Sequence, residues 1–198
     1  YLFSLIEPYS FEQTIKKSLF ITHAAPVRSA QEALDFFAAK HQAEATHNCW
    51  AFKLEQSYRF NDDGEPGGTA GRPILQAIEG QELINVAVLV IRYFGGIKLG
   101  TGGLVRAYGG SAAKCLQMAP RQEIIPTTQI ICEASFADMA MLRSRLIRPE
   151  VSVQAEDFSD HGVVWTLAIP DSLLEELERD YTNITRGKGV WLKPEDEE

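Results

Sequence analysis

Apolar and polar positions alternate with different periods along the chain, and the changes of period mark its elements. Between residues 11 and 25 the apolar positions Ile15, Leu19 and Ile21 read as extended chain. Ser29 to Glu32 has the S-x-x-E form of a helix-capping box, and Leu34, Phe37 and Ala38 give the following helix one apolar face. Trp50, Phe52 and Leu54 lie on one side of a predicted strand over 48–54, and Tyr58 and Phe60 continue the sheet on a second. A loop at 61–72 leads into a short helix, 74–78, which Pro73 opens and Gly80 ends. Residues 84–92 form a Val/Ile-rich strand expected to be buried on both faces. A second glycine loop, 95–103, precedes a helix over 104–118 that Pro120 stops. Gly109 and Gly110 fall inside this helix, where each costs about 1 kcal/mol relative to alanine, and close helix–sheet contact is the expected reason.

A hinge with two prolines, 120–126, separates this part from a more regular one. Residues 127–133 alternate as a strand and 138–147 form a helix. The strands 151–158 and 163–169 are joined by a turn at 160–162. A helix capped by Asp171 or Ser172 runs to Tyr181, a last strand covers 189–193, and 195–198 read as a solvated acidic tail. The order β-α-β-β-α-β is the ferredoxin-like split βαβ motif. The pattern therefore predicts an α+β chain with one domain over 1–121 and a ferredoxin-like one over 127–198.

Composition adds constraints. With 198 residues, 45% hydrophobic and 23% charged, the chain has the make-up of a globular protein and the length to bury a large core. Its longest apolar stretch, near 83–91, falls far short of the ~20 residues a membrane helix needs, so no membrane partner is expected. Glu7 and the lack of an early basic run do not fit a secretory leader, and a start at Tyr1 suggests that a residue or two was removed. Cys49, Cys115 and Cys132 are odd in number and form no C-x-x-C pair, which fits reduced core thiols in a cytoplasmic protein rather than a disulfide or zinc site. No H-x-H or H-E-x-x-H pattern involves the four histidines, so no metal is expected.

The net charge of −8 is unevenly spread: residues 1–121 carry a balance of +1, and 122–198 carry −9. Between 92 and 121 there are five basic residues and no acidic one. Twelve of the fifteen glycines lie within 61–110. A local basic surface can decide partners against the sign of the total charge.

Two segments could carry chemistry. In 61–73, Asp62, Asp63 and Glu65 could hold Mg²⁺, because hard cations take oxygen ligands, or could cap turns and pair with arginines. In 92–106, a strand, a glycine loop and a helix start bring together Arg92, Lys98 and Arg106 with Gly95, Gly96, Gly100, Gly102 and Gly103. Backbone N–H groups in such a loop can cradle an anion, or the glycines can serve only tight turns and close packing. Neither a P-loop nor a dinucleotide fingerprint is complete. Tyr93 and Phe94 could stack on bases or lie in the core, and His47, ahead of its strand, is either a hydrogen-bonded structural residue or a base. No nucleophile stands out, so no catalytic residue is named. The expected anion- or RNA-binding residues are Arg72, Arg92, Lys98, Arg106 and the five loop glycines, supported by Asp62, Asp63, Glu65, His47 and Tyr93. The two loops are expected side by side, with Asp62, Asp63 or Glu65 paired to Arg92 or Arg106.

The segments Asp62 to Pro66, Gly68 to Gly71, Arg92 to Gly96 and Leu99 to Gly109, with His47 and Lys16-Lys17-Ser18, closely resemble the signature of the YigZ/IMPACT family. Leu19 departs from it, standing where the family often carries arginine. The resemblance covers the whole chain. It implies an N-terminal domain similar to domain 2 of ribosomal protein S5 and a C-terminal domain similar to domain V of the ribosomal translocase. It also implies a role like that of eukaryotic relatives, which act in translational control by interfering with activation of a kinase that phosphorylates an initiation factor. The expected function is a non-enzymatic cytoplasmic regulator of translation that binds RNA, the ribosome or translation factors, with a protein partner possible and no cofactor. The alternative is a Mg²⁺-dependent enzyme acting on a phosphorylated small molecule, with His47 as base.

Overall fold

The computed structural model describes residues 2–194, so the acidic tail expected at 195–198 lies outside the described residues. The chain divides into two units between Ile124 and Ile125.

In the first unit the elements are β1 (Leu2–Leu5), β2 (Tyr9–Ile15), β3 (Ser18–Pro26), α1 (Ala30–Lys40), β4 (His47–Lys53), β5 (Tyr58–Asn61), α2 (Gly71–Gly80), β6 (Val86–Tyr93), α3 (Gly100–Met118) and β7 (Arg121–Ile124). Five strands form an antiparallel sheet in the order β2-β3-β6-β4-β5. Its central strand, β6, is covered on both faces as its composition predicts, although its neighbours run antiparallel. Val86, Val88 and Val90 face the core under α2 and α3, while Ala87, Leu89 and Ile91 face a second core that includes Ala33 and Phe37 of α1. Ser29 caps α1 by accepting from the Glu32 N–H, as the capping box predicts.

Three features depart from the sequence expectations. The segment 11–25 is not one extended run but a hairpin that turns at Lys16 and Lys17, both at positive φ (47° and 68°). The helix expected from Leu104 starts at Gly100, so Gly100, Gly102 and Gly103 form its first turn rather than a loop. Residues 121–124, expected to be hinge, are a strand that pairs with β1 from Leu2↔Ile124 to Leu5↔Arg121. The mid-helix glycines also act differently from expectation. A Cβ at Gly109 would make only ordinary contact with Pro73 of α2, at 3.5 Å, so the neighbour there is a helix rather than the sheet, and Gly110 has open space beside it.

In the second unit β8 (Thr127–Ser135), α4 (Phe136–Leu146), β9 (Ser152–Phe158), β10 (Gly162–Pro170), α5 (Leu174–Thr185) and β11 (Trp191–Leu192) follow in that order, with one 3₁₀ turn, Asp171–Leu173, ahead of α5. That turn leaves α5 without the side-chain cap expected from Asp171 or Ser172. The sheet order β11-β8-β10-β9, antiparallel throughout, is the ferredoxin-like arrangement. Trp165, Leu167, Ile130 and Cys132 of the sheet pack with Leu142, Leu146, Leu177 and Tyr181 of the two helices.

Candidate functional site

The two sequence motifs of the first unit meet through one carboxylate. Glu65 lies in the loop that follows β5, and its side chain is only 4% exposed. Arg92, near the end of β6, donates from Nη1 to both of its oxygens, at 3.0 and 2.9 Å. The Tyr108 hydroxyl of α3 donates to Oε2 at 2.6 Å. His47, the first residue of β4, places Nε2 3.0 Å from Oε1 while Nδ1 faces the Asp63 carbonyl at 2.7 Å.

Sheet register explains the convergence. His47 is opposite Arg92, and Arg92 is opposite Phe20, so the three side chains share the face that α2 and α3 cover. The Arg92 guanidinium lies over two rings, Phe20 at 5.8 Å and Phe94 at 5.4 Å. Its Nε and Nη2 also reach the buried Ser18 hydroxyl, at 3.4 Å each. Burial pushes the Tyr108 hydroxyl and the Cys49 thiol well above their ordinary pKa values, so neither is an ionised nucleophile near neutral pH.

The other two carboxylates of the acidic loop also bind protein donors. Asp62 accepts from the N–H groups of Gly68 (3.0 Å), Ala70 (3.1 Å) and Gly71 (2.8 Å). It thereby caps α2 across the loop, where Ala70 offers no side chain to do so. Asp63 accepts from the Asn48 N–H at 2.6 Å. Gly71 is required here, because a Cβ on it would lie 2.7 Å from the backbone nitrogen of Asn61.

The residues expected to bind an anion or RNA separate into two groups. Arg92 is a correction: it is 5% exposed, and its charge meets Glu65 inside the fold rather than facing solvent. Tyr93 is half-buried against the α1 side, whereas Phe94 is 47% exposed. Arg72, Lys98 and Arg106 are exposed. Arg72 stacks on Phe60 at 5.0 Å, and the Arg106 guanidinium folds back over Gly102 in the first turn of α3. Gly96 and Gly100 have positive φ (93° and 75°), which glycine adopts without strain. Gly95 packs on the hairpin: its N–H donates to the Ser18 hydroxyl at 3.3 Å, and a Cβ there would overlap the Lys17 carbonyl. That contact brings Lys16 and Lys17, both exposed, to the glycine loop. The hydrophobic pattern did not single out these two lysines, and only the resemblance drew attention to them.

Together these features define a class: a two-unit α+β protein whose first unit locks two glycine-rich loops on a buried glutamate and whose second is ferredoxin-like. Residues 16–116 match the Impact N-terminal domain, and residues 132–188 match a domain of unknown function, DUF1949. The chain belongs to the IMPACT family. It is 44% identical over 188 residues to an IMPACT family member of Thermus thermophilus, covering 90% of this chain and 99% of that one. It is 32% identical to IMPACT family member YigZ of Escherichia coli, covering 91% of each chain. The rat Protein IMPACT is 35% identical over 95 residues, which span 44% of this chain and 30% of the rat protein. A solved structure described as a hypothetical protein aligns with a TM-score of 0.68 at 31% identity, covering 99% of this chain and 98% of that one. Among the described residues, no helix is long and apolar enough to cross a membrane.

Proposed function

We propose that the protein is a non-enzymatic regulator of translation that acts from the cytoplasm by binding RNA, on its own or in the ribosome, through the glycine-loop face of its first unit. One observation carries this reading. The carboxylates of the acidic loop are engaged with protein donors, while Arg72, Lys98 and Arg106 remain exposed. The exposed charged side chains of the two loops are then these three cations and Asp63, whose carboxylate is tied to the Asn48 N–H, a balance that suits a phosphate backbone. The kinship with eukaryotic members that act in translational control supports the same assignment.

Reading the acidic loop as a Mg²⁺ site has less support. Asp62, Asp63 and Glu65 are directed to separate groups of donors rather than to one point, and Glu65 already neutralises Arg92.

Binding of structured RNA or ribosomes, measured against salt, tests the proposal. Affinity should fall by orders of magnitude from low to high salt, because each neutralised phosphate of a duplex contributes a slope of about −0.9 in log K against log salt. Lys98→Ala with Arg106→Ala should flatten that slope by about 1.8. A lack of binding at low salt, or capture of a partner that resists nuclease, would count against RNA and favour a protein.

A further inference from the structure

We infer that Phe94 is a stacking platform for an unpaired nucleotide base, and that Lys16 and Lys17 hold the phosphates beside it. The inference rests on the RNA reading above and narrows it from RNA in general to single-stranded segments.

Phe94 is an aromatic residue directly after a buried strand, and the fold leaves it 47% exposed. An isolated exposed phenylalanine would call for no explanation, but this one is held in place. Its N–H donates to the Thr46 hydroxyl at 2.9 Å, and its ring rests on the Arg92 guanidinium at 5.4 Å. Arg92 is itself fixed by Glu65 and Ser18. The ring thus sits on a rigid cationic base, and little conformational entropy remains to be lost when something stacks on its exposed side.

Its surroundings indicate the ligand. The residue after Phe94 is Gly95, which packs on the carbonyl of Lys17 at the tip of the β2–β3 hairpin. Two lysines fill this two-residue turn at φ 47° and 68°, positions where such turns usually carry asparagine and glycine. The left-handed region costs an L-residue free energy, and strain of this kind collects at binding sites. Stability alone would favour other residues at the tip, and what the lysines supply is two positive charges beside an exposed ring. The glycine loop and the start of α3 that follow Phe94 also expose Ile97 and Val105, each next in sequence to an exposed cation, Lys98 and Arg106. A positive track with an aromatic face suits a nucleic-acid strand with unstacked bases. In a duplex each base is already stacked on both faces and cannot reach a side chain without unpairing.

The test uses the full chain and fluorescence anisotropy. The probes are a labelled single-stranded RNA of about 12 nucleotides, within the site sizes usual for such grooves, and a duplex of the same sequence. Phe94→Ala should weaken single-strand binding by about 5–150-fold, leave its salt slope unchanged and leave the duplex unaffected. Phe94→Trp should restore the affinity, which a purely structural role for phenylalanine would not allow. Lys16→Ala with Lys17→Ala should lower the single-strand salt slope by about 1.4. Equal binding of both RNAs with no effect of Phe94→Ala would overturn the inference and leave the RNA reading standing. If the wild-type protein bound neither RNA at low salt, both would fail, and a protein partner would take their place.

Discussion

The Glu65 carboxylate shows how one side chain can organise a whole face. It receives hydrogen bonds from Arg92 and Tyr108 and lies against His47, and it is nearly inaccessible to water. Breaking a buried ion pair costs far more than the intact pair contributes, because a charge is left without a counterion. Glu65→Ala should therefore destabilise the first unit by about 3–5 kcal/mol in urea denaturation. Arg92→Ala should cost a similar amount, and the double variant should cost much less than the sum of the two. A loss under about 1 kcal/mol for Glu65→Ala would mean that water reaches the pair. The thiols make a second prediction at this scale. Burial pushes Cys115 and Cys132 up to about 12, and Tyr181 likewise to about 12. Each group keeps its proton in the folded state at a pH where the unfolded chain loses it. Stability is thus at its full value below about pH 9 and should fall progressively from there to pH 12. Urea midpoints that stay constant across that range would contradict the burial of these groups. The sequence showed which residue types gather in the two loops and suggested that acid meets base. It could not show that Glu65 was the acid, because the partners, on β6 and α3, are 27 and 43 residues away and meet it only in the folded unit.

Elements with strong periodicity were legible from the sequence: α1 with its cap, the central strand β6 and the order of helices and strands in the second unit, though not the cap of α5. Those that break the usual rules were not. The β2–β3 hairpin was hidden because Lys16-Lys17 is not a recognised turn dipeptide. The first turn of α3 was hidden because three glycines there read as a loop by propensity, although the helix starts at Gly100. The β1–β7 ribbon was hidden because four-residue strands more than a hundred positions apart carry almost no local signal. The hairpin also allows a test at this scale. Lys17→Gly removes a left-handed L-residue, so the urea midpoint should rise, by up to about 1 kcal/mol in stability. Affinity for single-stranded RNA should fall at the same time, because a charge is lost. A fall in both would mean that the lysine side chain supports the fold, and the strain argument would be lost.

At the scale of the molecule, two units with separate cores are joined by an exposed stretch, Ile125 to Thr127. Limited proteolysis should cut there first and leave two resistant fragments, whereas early cuts within 84–118 would show that the first unit is not a single body. The β1–β7 ribbon has a further consequence for how the first unit comes into being. Phe3 bridges Leu83, but the other edge of β1 pairs from Leu2↔Ile124 to Leu5↔Arg121, so that edge has no partner until the closing strand of the same unit exists. On a chain growing at ~5–20 residues per second, that delay is roughly 6–24 s. The first strand of the unit is thus among the last to be paired on both edges, and a nascent chain that stalls before residue 121 would present an unpaired edge to its neighbours.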